Sequence, residues 1–149
     1  MRDLPAGTYR FDDIEVGDRF ETGFQQVTAE MIKDFARLSG DRFEIHLSAE
    51  GAARHGFPNV VAHGLLILSL ADGLKNSGDV WIEAQAALGW NQRFTAPVFA
   101  GDRIAVKLQI AGKRPLADGA RGILALAVEV VNQDGVVVLA GEQTVMAYR

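Results

Sequence analysis

The sequence predicts an α+β fold in which an antiparallel sheet packs against one long helix. Residues 62–75, AHGLLILSLADGLK, are apolar almost all the way round a helix, and the segments that follow them are strand-like. The NQDG sequence at 132–135 is typical of a hairpin turn, with a glycine available for positive φ. One buried helix followed by several strands favours a mixed domain whose sheet wraps the helix.

The chain before this helix is predicted to contain an arm, a strand and a first helix. Residues 1–18 are rich in Gly, Asp and Pro, which predicts a surface arm leading into a strand at 19–27. Thr28 is a predicted N-cap, because apolar residues at helical spacing follow it, and Gly40 is a predicted C-terminal cap. These apolar residues are Met31, Ile32, Phe35, Ala36 and Leu38.

A polar loop over 41–47 separates this helix from the next elements. Ser48 is predicted to cap a short helix that runs to Arg54, and GFPN at 56–59 breaks the chain again. The long helix at 62–75 carries little polar surface, so we expect the rest of the domain to enclose it on every side.

Four strands are predicted after the long helix, at 84–95, 103–110, 123–132 and 136–147. The segment RIAVKLQI at 103–110 alternates apolar and polar residues. This two-residue period is typical of a strand in a sheet with one solvent-exposed face. Residues 113–122 are predicted to form an exposed loop. Open sheet edges and an exposed back face favour pairing with a second copy, so we expect a homodimer.

Composition excludes several classes of function. The 149 residues suffice for one domain, 1–149, with its own core. Lys and Arg number 15 against 19 Asp and Glu, which disfavours a nucleic-acid partner. The absence of cysteine excludes disulfides, Cys-ligated zinc and thiol nucleophiles. Polar residues in the first 18 positions argue against a signal peptide. The longest apolar run, 64–71, is well short of the ~20 residues that a membrane span needs. We therefore expect a cytoplasmic protein.

Asp41 and His46 are the first candidate site residues. Five positions apart in a polar loop, they can share one water or one substrate proton, and a carboxylate with an imidazole is a common acid–base pair. The alternative is structural: Asp41 caps a turn after Gly40, and His46 is a partly buried loop residue.

His63 and Gly64, at the start of the long helix, are the second candidate site. The first N–H groups of a helix lack intrahelical partners, and glycine allows a ligand to approach the backbone, so Gly64 N–H can stabilise a developing oxyanion. The alternative is that Gly64 permits tight packing and His63 caps the helix.

Other polar residues are weaker candidates. Ser69 and Asp72 in the long helix are predicted to reach the same cavity as Asp41, or else to form a buried pair satisfied by the backbone. Glu44 is predicted to be solvated. Four positively charged side chains either bind phosphate groups of a ligand or remain solvated: Arg93, Arg103, Lys113 and Arg114.

Taken together, four motifs carry a family resemblance. They are FARLSGD at 35–41, IH at 45–46, GFPNVVAHGLL at 56–66 and RFTAPVFAGD at 93–102. Their order and spacing resemble the MaoC-like family, the (R)-specific enoyl-CoA hydratases and related dehydratases, from about residue 27 to 106. The resemblance implies a hotdog fold, with the sheet curled round the long helix, and usually a dimer with the substrate tunnel at its interface.

The resemblance also implies roles for the candidate residues. Asp41 and His46 match the family's catalytic pair, which activates a water that adds to a trans-2-enoyl thioester or runs the reverse dehydration. Gly64 matches the family's backbone oxyanion donor. The implied partner is an acyl-CoA or acyl-carrier thioester, and neither a metal nor a redox cofactor is implied.

The chain departs from the family pattern inside the catalytic loop. The family motif is Asp-x-Asn-Pro-x-His, whereas this chain has Phe43 and Glu44 in place of Asn and Pro. The change removes an amide hydrogen bond and a φ constraint, and Phe43 is expected to narrow the acyl pocket. Two alternatives therefore stay open: a hotdog thioesterase whose carboxylate attacks the carbonyl carbon, and a non-catalytic acyl-CoA binding module.

Overall fold

The computed structural model describes residues 1–149 and confirms the predicted α+β architecture. The helices are α1 (Ala29–Ser39), α2 (Ala49–Ala53) and α3 (Gly64–Ser77), with 3₁₀ turns at Phe11–Asp13 and Glu44–His46. The strands are β1 (Gly7–Tyr9), β2 (Arg19–Glu21), β3 (Gln25–Gln26), β4 (Val80–Ile82), β5 (Ala84–Phe94), β6 (Arg103–Pro115), β7 (Arg121–Asn132) and β8 (Val137–Tyr148).

The main sheet is antiparallel and curls round α3, which is the hotdog arrangement. Its strand order is β2-β6-β7-β8-β5, and the short β3 also pairs with β6. The predicted alternation of β6 is confirmed, since Ile104, Val106 and Leu108 are buried while Lys107 is exposed. Apolar residues of β6, β7 and β8 form one core cluster with Leu66, Ile67 and Ala71 of α3.

The prediction that α3 is enclosed on every side is wrong. Leu66 and Ile67 are buried, but Leu65 is 62% exposed, and Ser69 and Gly73 continue the exposed row at a spacing of four residues. Residues four apart lie on one face of a helix, so one stripe of α3 has no cover within the chain. The sheet curls far enough to bury only the opposite face. None of the helices has the length and apolar character that a membrane crossing requires.

The N-terminal segment is part of the core, which corrects the prediction of a surface arm. Leu4, Phe11 and Ile14 are buried, and β1 pairs in parallel with β4 beside the end of α3. These three apolar residues recur at neither the helical nor the strand period, so the pattern of the sequence does not reveal them.

Two predicted boundaries in the sheet also change. The predicted strand at 19–27 is divided into β2 and β3, both paired with β6. The predicted exposed loop at 113–122 is shorter than expected, because β6 extends to Pro115 and β7 begins at Arg121. Lys113 is held inside this region, where its Nζ donates to the carbonyl oxygens of Phe11 and Ile14 at 3.0 and 2.6 Å.

The predicted caps are confirmed, and they fix both ends of the loop at 41–47. Thr28 Oγ1 accepts from Met31 N–H at 3.1 Å at the start of α1. Gly40 ends α1 in the left-handed region, at φ 84°. Ser48 Oγ accepts from Gly51 N–H at 2.9 Å and begins α2. The loop at 41–47 is therefore held between two well-defined helix ends.

Candidate active site

The loop that carries Asp41 and His46 is tied to the segment that precedes α3. Val61 N–H donates to the carbonyl oxygen of Ile45 at 3.0 Å, and the His46 ring contacts the carbonyl oxygen of Val61 at 2.6 Å. Residues far apart in sequence are thereby placed side by side. The contact between the 41–46 loop and the start of α3 has this physical basis.

The hydrogen bond to Val61 determines which nitrogen of His46 is free. A carbonyl oxygen only accepts hydrogen bonds, so we assign the proton to His46 Nδ1, the atom 2.6 Å from Val61 O. In the neutral ring Nε2 then carries a lone pair. His46 is buried, and this lone pair is its available proton acceptor.

Asp41 lies opposite this free nitrogen. Its Oδ2 is 3.9 Å from His46 Nε2, which is longer than a direct hydrogen bond. The Asp41 side chain is 56% exposed, whereas that of His46 is 9% exposed. This separation suits two groups that contact one shared water, with the carboxylate on the open side and the imidazole on the buried side.

His63 supports both members of this pair. Its ring stacks on that of His46, with centroids 3.8 Å apart and an angle of 18° between the planes. Its Nε2 donates to the carbonyl oxygen of Asp41 at 2.9 Å, and its buried Nδ1 has no hydrogen-bond partner. His63 precedes α3 but does not cap it through its side chain, contrary to the structural alternative.

Gly64 begins α3 beside these rings. Its position in the first turn leaves its N–H without an intrahelical acceptor. A Cβ at this position would lie 2.7 Å from the ring of Phe94, so only glycine fits the present packing. The predicted alternative of tight packing therefore holds, and it is compatible with an oxyanion role for the same N–H.

Asp41, His46, His63 and Gly64 line one cavity of about 560 Å³. Much of its remaining wall is apolar and comes from α1, the chain on either side of the start of α3, the end of β5 with the residues after it, and β8. This apolar wall includes Phe35, Phe57, Leu65, Phe94, Val98 and Val138. A few polar groups at one end of a mostly apolar cavity of this size are typical of a small-molecule site.

A larger hollow lies elsewhere and contains none of these residues. It measures about 800 Å³ and lies between the N-terminal segment, β2 and the outer side of the sheet. It has charged residues such as Arg19, Glu21 and Lys107 but no histidine. We place the candidate active site in the smaller cavity, because that cavity brings together a carboxylate, a free imidazole nitrogen and a free backbone donor.

Three predicted substrate-binding residues do not line this cavity. Phe43 is 51% exposed and packs edge-on against His55, with ring centroids 5.0 Å apart. Ser69 is exposed, and its Oγ donates to the carbonyl oxygen of Leu65 at 2.8 Å. Asp72 lies further along α3, beside Lys75. The expectation that Ser69 and Asp72 reach the cavity of Asp41 is therefore not met.

Asp72 belongs to a separate polar cluster between α3 and the sheet. Lys75 Nζ lies 3.3 Å from Asp72 Oδ1 and donates to Gln143 Oε1 at 2.7 Å. Burial lowers the pKa of Lys75, although Asp72 opposes this effect. Gln143 is buried and also donates to Asp72. The polar groups of this cluster are therefore paired with one another.

Glu44 has partners that sequence analysis missed. The predicted solvent exposure holds, since 37% of the Glu44 side chain is accessible, but Arg54 Nη2 and His55 Nε2 also lie 2.9 and 2.7 Å from its carboxylate oxygens. Hydrogen bonds from Arg54 and then from His55 hold the pKa of the Glu44 carboxyl below its usual value. Glu44 comes before α2 in the sequence, whereas Arg54 and His55 come after it. Neither the helical nor the strand period therefore indicates this contact.

Asp41, His46 and His63 also form a possible metal-ligand cluster, with ligand atoms within 4.8 Å of one another. An ion held by histidine lies close to the plane of the imidazole, about 2.0–2.1 Å from the nitrogen. The planes of His46 and His63 are 18° from parallel and the rings 3.8 Å apart, so these planes do not meet within bonding distance. The stacked rings do not suit one shared ion, and acid–base chemistry fits them better.

Comparison with known sequences identifies related proteins. Residues 14–132 match the family described as the MaoC like domain. The chain is 37% identical over 99 residues to Protein MaoC of Klebsiella aerogenes, a match that covers 66% of this chain and 29% of that protein. It is 35% identical over 106 residues to 3-hydroxybutyryl-CoA dehydratase of Methylorubrum extorquens, covering 68% of this chain and 63% of the relative. The chain thus spans less than two thirds of either relative.

A solved structure extends the likeness to three dimensions. The unliganded R-hydratase from Pseudomonas aeruginosa superposes with a TM-score of 0.79 at 32% identity. The superposition covers 93% of this chain and 84% of the hydratase chain. The likeness therefore extends over most of both chains.

Proposed function

The chain belongs to the MaoC-like domain family, and from this premise we propose that it is a hydro-lyase acting on acyl thioesters. The proposed reaction is the (R)-specific hydration of a trans-2-enoyl thioester, or the reverse dehydration of a 3-hydroxyacyl thioester. One observation carries the proposal: the Asp41 carboxylate and the free Nε2 of His46 face the same apolar cavity as the first N–H of α3. The names of the relatives, a dehydratase and an R-hydratase, agree with it.

The proposed mechanism begins with a water held between Asp41 and His46. His46 Nε2 accepts a proton from this water while the water oxygen bonds to the β-carbon of the substrate. Electrons of the double bond move toward the thioester oxygen, and Gly64 N–H donates to the negative charge that develops there. A proton from the Asp41 and His46 pair then bonds to the α-carbon, which returns the pair to its starting charge.

An absorbance assay tests this function. Purified protein is expected to reduce the absorbance of the conjugated enoyl group when it is mixed with enoyl-CoA thioesters of increasing chain length. Loss of absorbance without release of free thiol supports the hydro-lyase. Thiol release from saturated acyl-CoA supports a thioesterase instead, and tight calorimetric binding without turnover at any chain length supports a binding module. The last two results each contradict the proposal.

We also propose that two copies of the chain associate through β5. This strand is last in the sheet order, so one of its edges is unpaired, and it exposes Leu88 and Phe94. The exposed stripe of α3 begins with Leu65, which lines the candidate cavity together with Phe94. Covering these apolar residues with a second copy would remove both the open edge and the apolar surface from water.

Light scattering is expected to give twice the 16.1 kDa mass of the chain. Leu88→Arg places a charge at the proposed contact and is expected to shift the mass toward a single chain. The matched control is Val136→Arg, another exposed apolar residue that lies outside the strands, and it should leave the mass unchanged. A wild-type protein that remains a single chain at micromolar concentration would exclude the proposed dimer.

A further inference from the structure

Glu44, Arg54 and His55 form an ionic cluster next to the candidate site. Arg54 donates to Glu44 Oε2 through Nε at 3.1 Å and through Nη2 at 2.9 Å. His55 Nε2 is 2.7 Å from Glu44 Oε1. Both carboxylate oxygens are therefore occupied, and all the contacts come from the end of α2. We refer to these three residues as the Glu44 cluster.

The backbone of Glu44 contacts α2 as closely as its side chain does. Its carbonyl oxygen accepts from Leu47 N–H at 3.1 Å and from Ser48 N–H at 3.4 Å. A Cβ added at Gly51 of α2 would lie 2.3 Å from this carbonyl oxygen, so the two segments touch without intervening side chains. The 3₁₀ turn at 44–46 is thus attached to α2 at both the side chain and the main chain of its first residue.

His46 lies in the same turn, two residues after Glu44. Its free Nε2 must face Asp41 across 3.9 Å, and its ring has one hydrogen bond, at Nδ1. The direction of Nε2 therefore depends on the orientation of the turn as well as on that bond. Glu44 itself does not line the cavity, so it has no direct contact with a substrate there.

From these contacts we infer that Glu44 is a positioning residue, which holds the turn against α2 so that His46 Nε2 faces Asp41. The inference rests on the proposed function, since it assigns Glu44 a part in the same reaction. A displacement of ~1 Å in a reacting group can reduce a rate by as much as ~10²-fold, so a contact outside the cavity can matter to the chemistry.

The backbone at this position also suits a proline, which provides a specific test. Phe43 has φ −61° and ψ 139°, in the extended region that the residue before a proline requires. Glu44 is the first residue of a 3₁₀ turn, where φ is close to the value that a proline ring imposes, and its N–H donates no hydrogen bond. A proline at 44 can therefore hold the turn by its ring instead of by the ionic cluster.

Substitution of Glu44 separates these two ways of holding the turn. Glu44→Ala is expected to lower kcat by roughly 10-fold or more while KM changes by less than about 3-fold, because the turn is loosened but the cavity wall is kept. Glu44→Pro is expected to recover most of the lost kcat. Arg54→Met, which removes the paired cation without touching the loop, is expected to act in the same direction as Glu44→Ala. Glu129→Ala, at an exposed carboxylate of β7, is the control.

A second measurement keeps this inference separate from the proposed function. The NMR signals of the His46 ring nitrogens report whether Nδ1 is protonated and how the ring is surrounded. They are recorded without substrate, so this measurement remains informative even if the protein hydrates no thioester. The inference is supported if this signal broadens or shifts in Glu44→Ala and Arg54→Met and returns in Glu44→Pro. It is overturned if kcat and the His46 signal stay at wild-type values in folded Glu44→Ala. It is also overturned if folded Glu44→Pro is as impaired as Glu44→Ala. If Glu44→Pro does not fold, Arg54→Met decides by the same two readouts.

Discussion

Asp41→Asn and His46→Ala are each expected to lower kcat/KM by ~10² or more, the usual size of a general acid–base contribution. Asparagine keeps the shape of Asp41, including the acceptor for Phe43 N–H at 3.3 Å, but it has no carboxylate to exchange a proton. Alanine at 46 removes the free imidazole nitrogen that lies 3.9 Å from the Asp41 carboxylate. The double variant is expected to be little worse than either single one, since the two groups act on one water.

Steady-state rates with the preferred enoyl thioester measure this effect, and thermal unfolding shows whether each variant is folded. Asp34→Asn is the matched control, because Asp34 is an exposed carboxylate of α1 that pairs with Arg37. A rate for either single variant within about 3-fold of the wild type would exclude the pair as the acid–base group. Fully additive losses in the double variant would show that the two side chains act independently.

Gly64→Ala is expected to have the second largest effect, with a loss of roughly 10²-fold in kcat and about 1–3 kcal/mol of stability. The added Cβ would lie 2.7 Å from the Phe94 ring, so the ring must move or α3 must shift. Either change alters the distance between the first N–H of α3 and the acid–base pair. The same substitution at Gly73, where nothing lies within 4 Å, is expected to leave kcat unchanged and to stabilise the helix slightly.

A second substitution distinguishes packing from chemistry at this position. Adding Phe94→Ala to Gly64→Ala removes the clash, so chemical denaturation should show part of the stability restored. The value of kcat in the double variant is expected to stay as low as in Gly64→Ala. The methyl group at 64 still lies beside the backbone donor that the thioester oxygen must approach. Full recovery of kcat in the double variant would mean that Gly64 serves packing alone.

Much of the fold can be predicted from the sequence because its main elements have a clear period. The alternation in β6 and the helical spacing in α1 each bury one face, and Thr28, Gly40 and Ser48 mark helix ends by their own chemistry. The N-terminal segment has no such period. Its buried residues, Leu4, Phe11 and Ile14, depend on contacts with distant strands, which the local sequence does not encode.

The candidate site, like the fold, can be predicted from the sequence only in part. Asp41, His46, His63 and Gly64 line one cavity, and the sequence points to all four because the motifs around them agree in order and spacing with those of one family. Ser69 shares a helix face with Leu65, which lines the cavity, but lies one turn or about 6 Å further along the axis. Its Oγ donates to the carbonyl oxygen of Leu65 instead of reaching the cavity. Asp72 lies about 12 Å further along the helix axis than Gly64, beyond the reach of the cavity.

The bonds between the 41–46 loop and Val61 have a mechanical consequence. His46 is attached through its ring to Val61, and Gly64 follows only three residues later in the same run of chain. The His46 ring and the proposed oxyanion donor at Gly64 are therefore both attached to the segment 61–64. A displacement of this segment is therefore expected to move both groups together and to preserve the spacing between them.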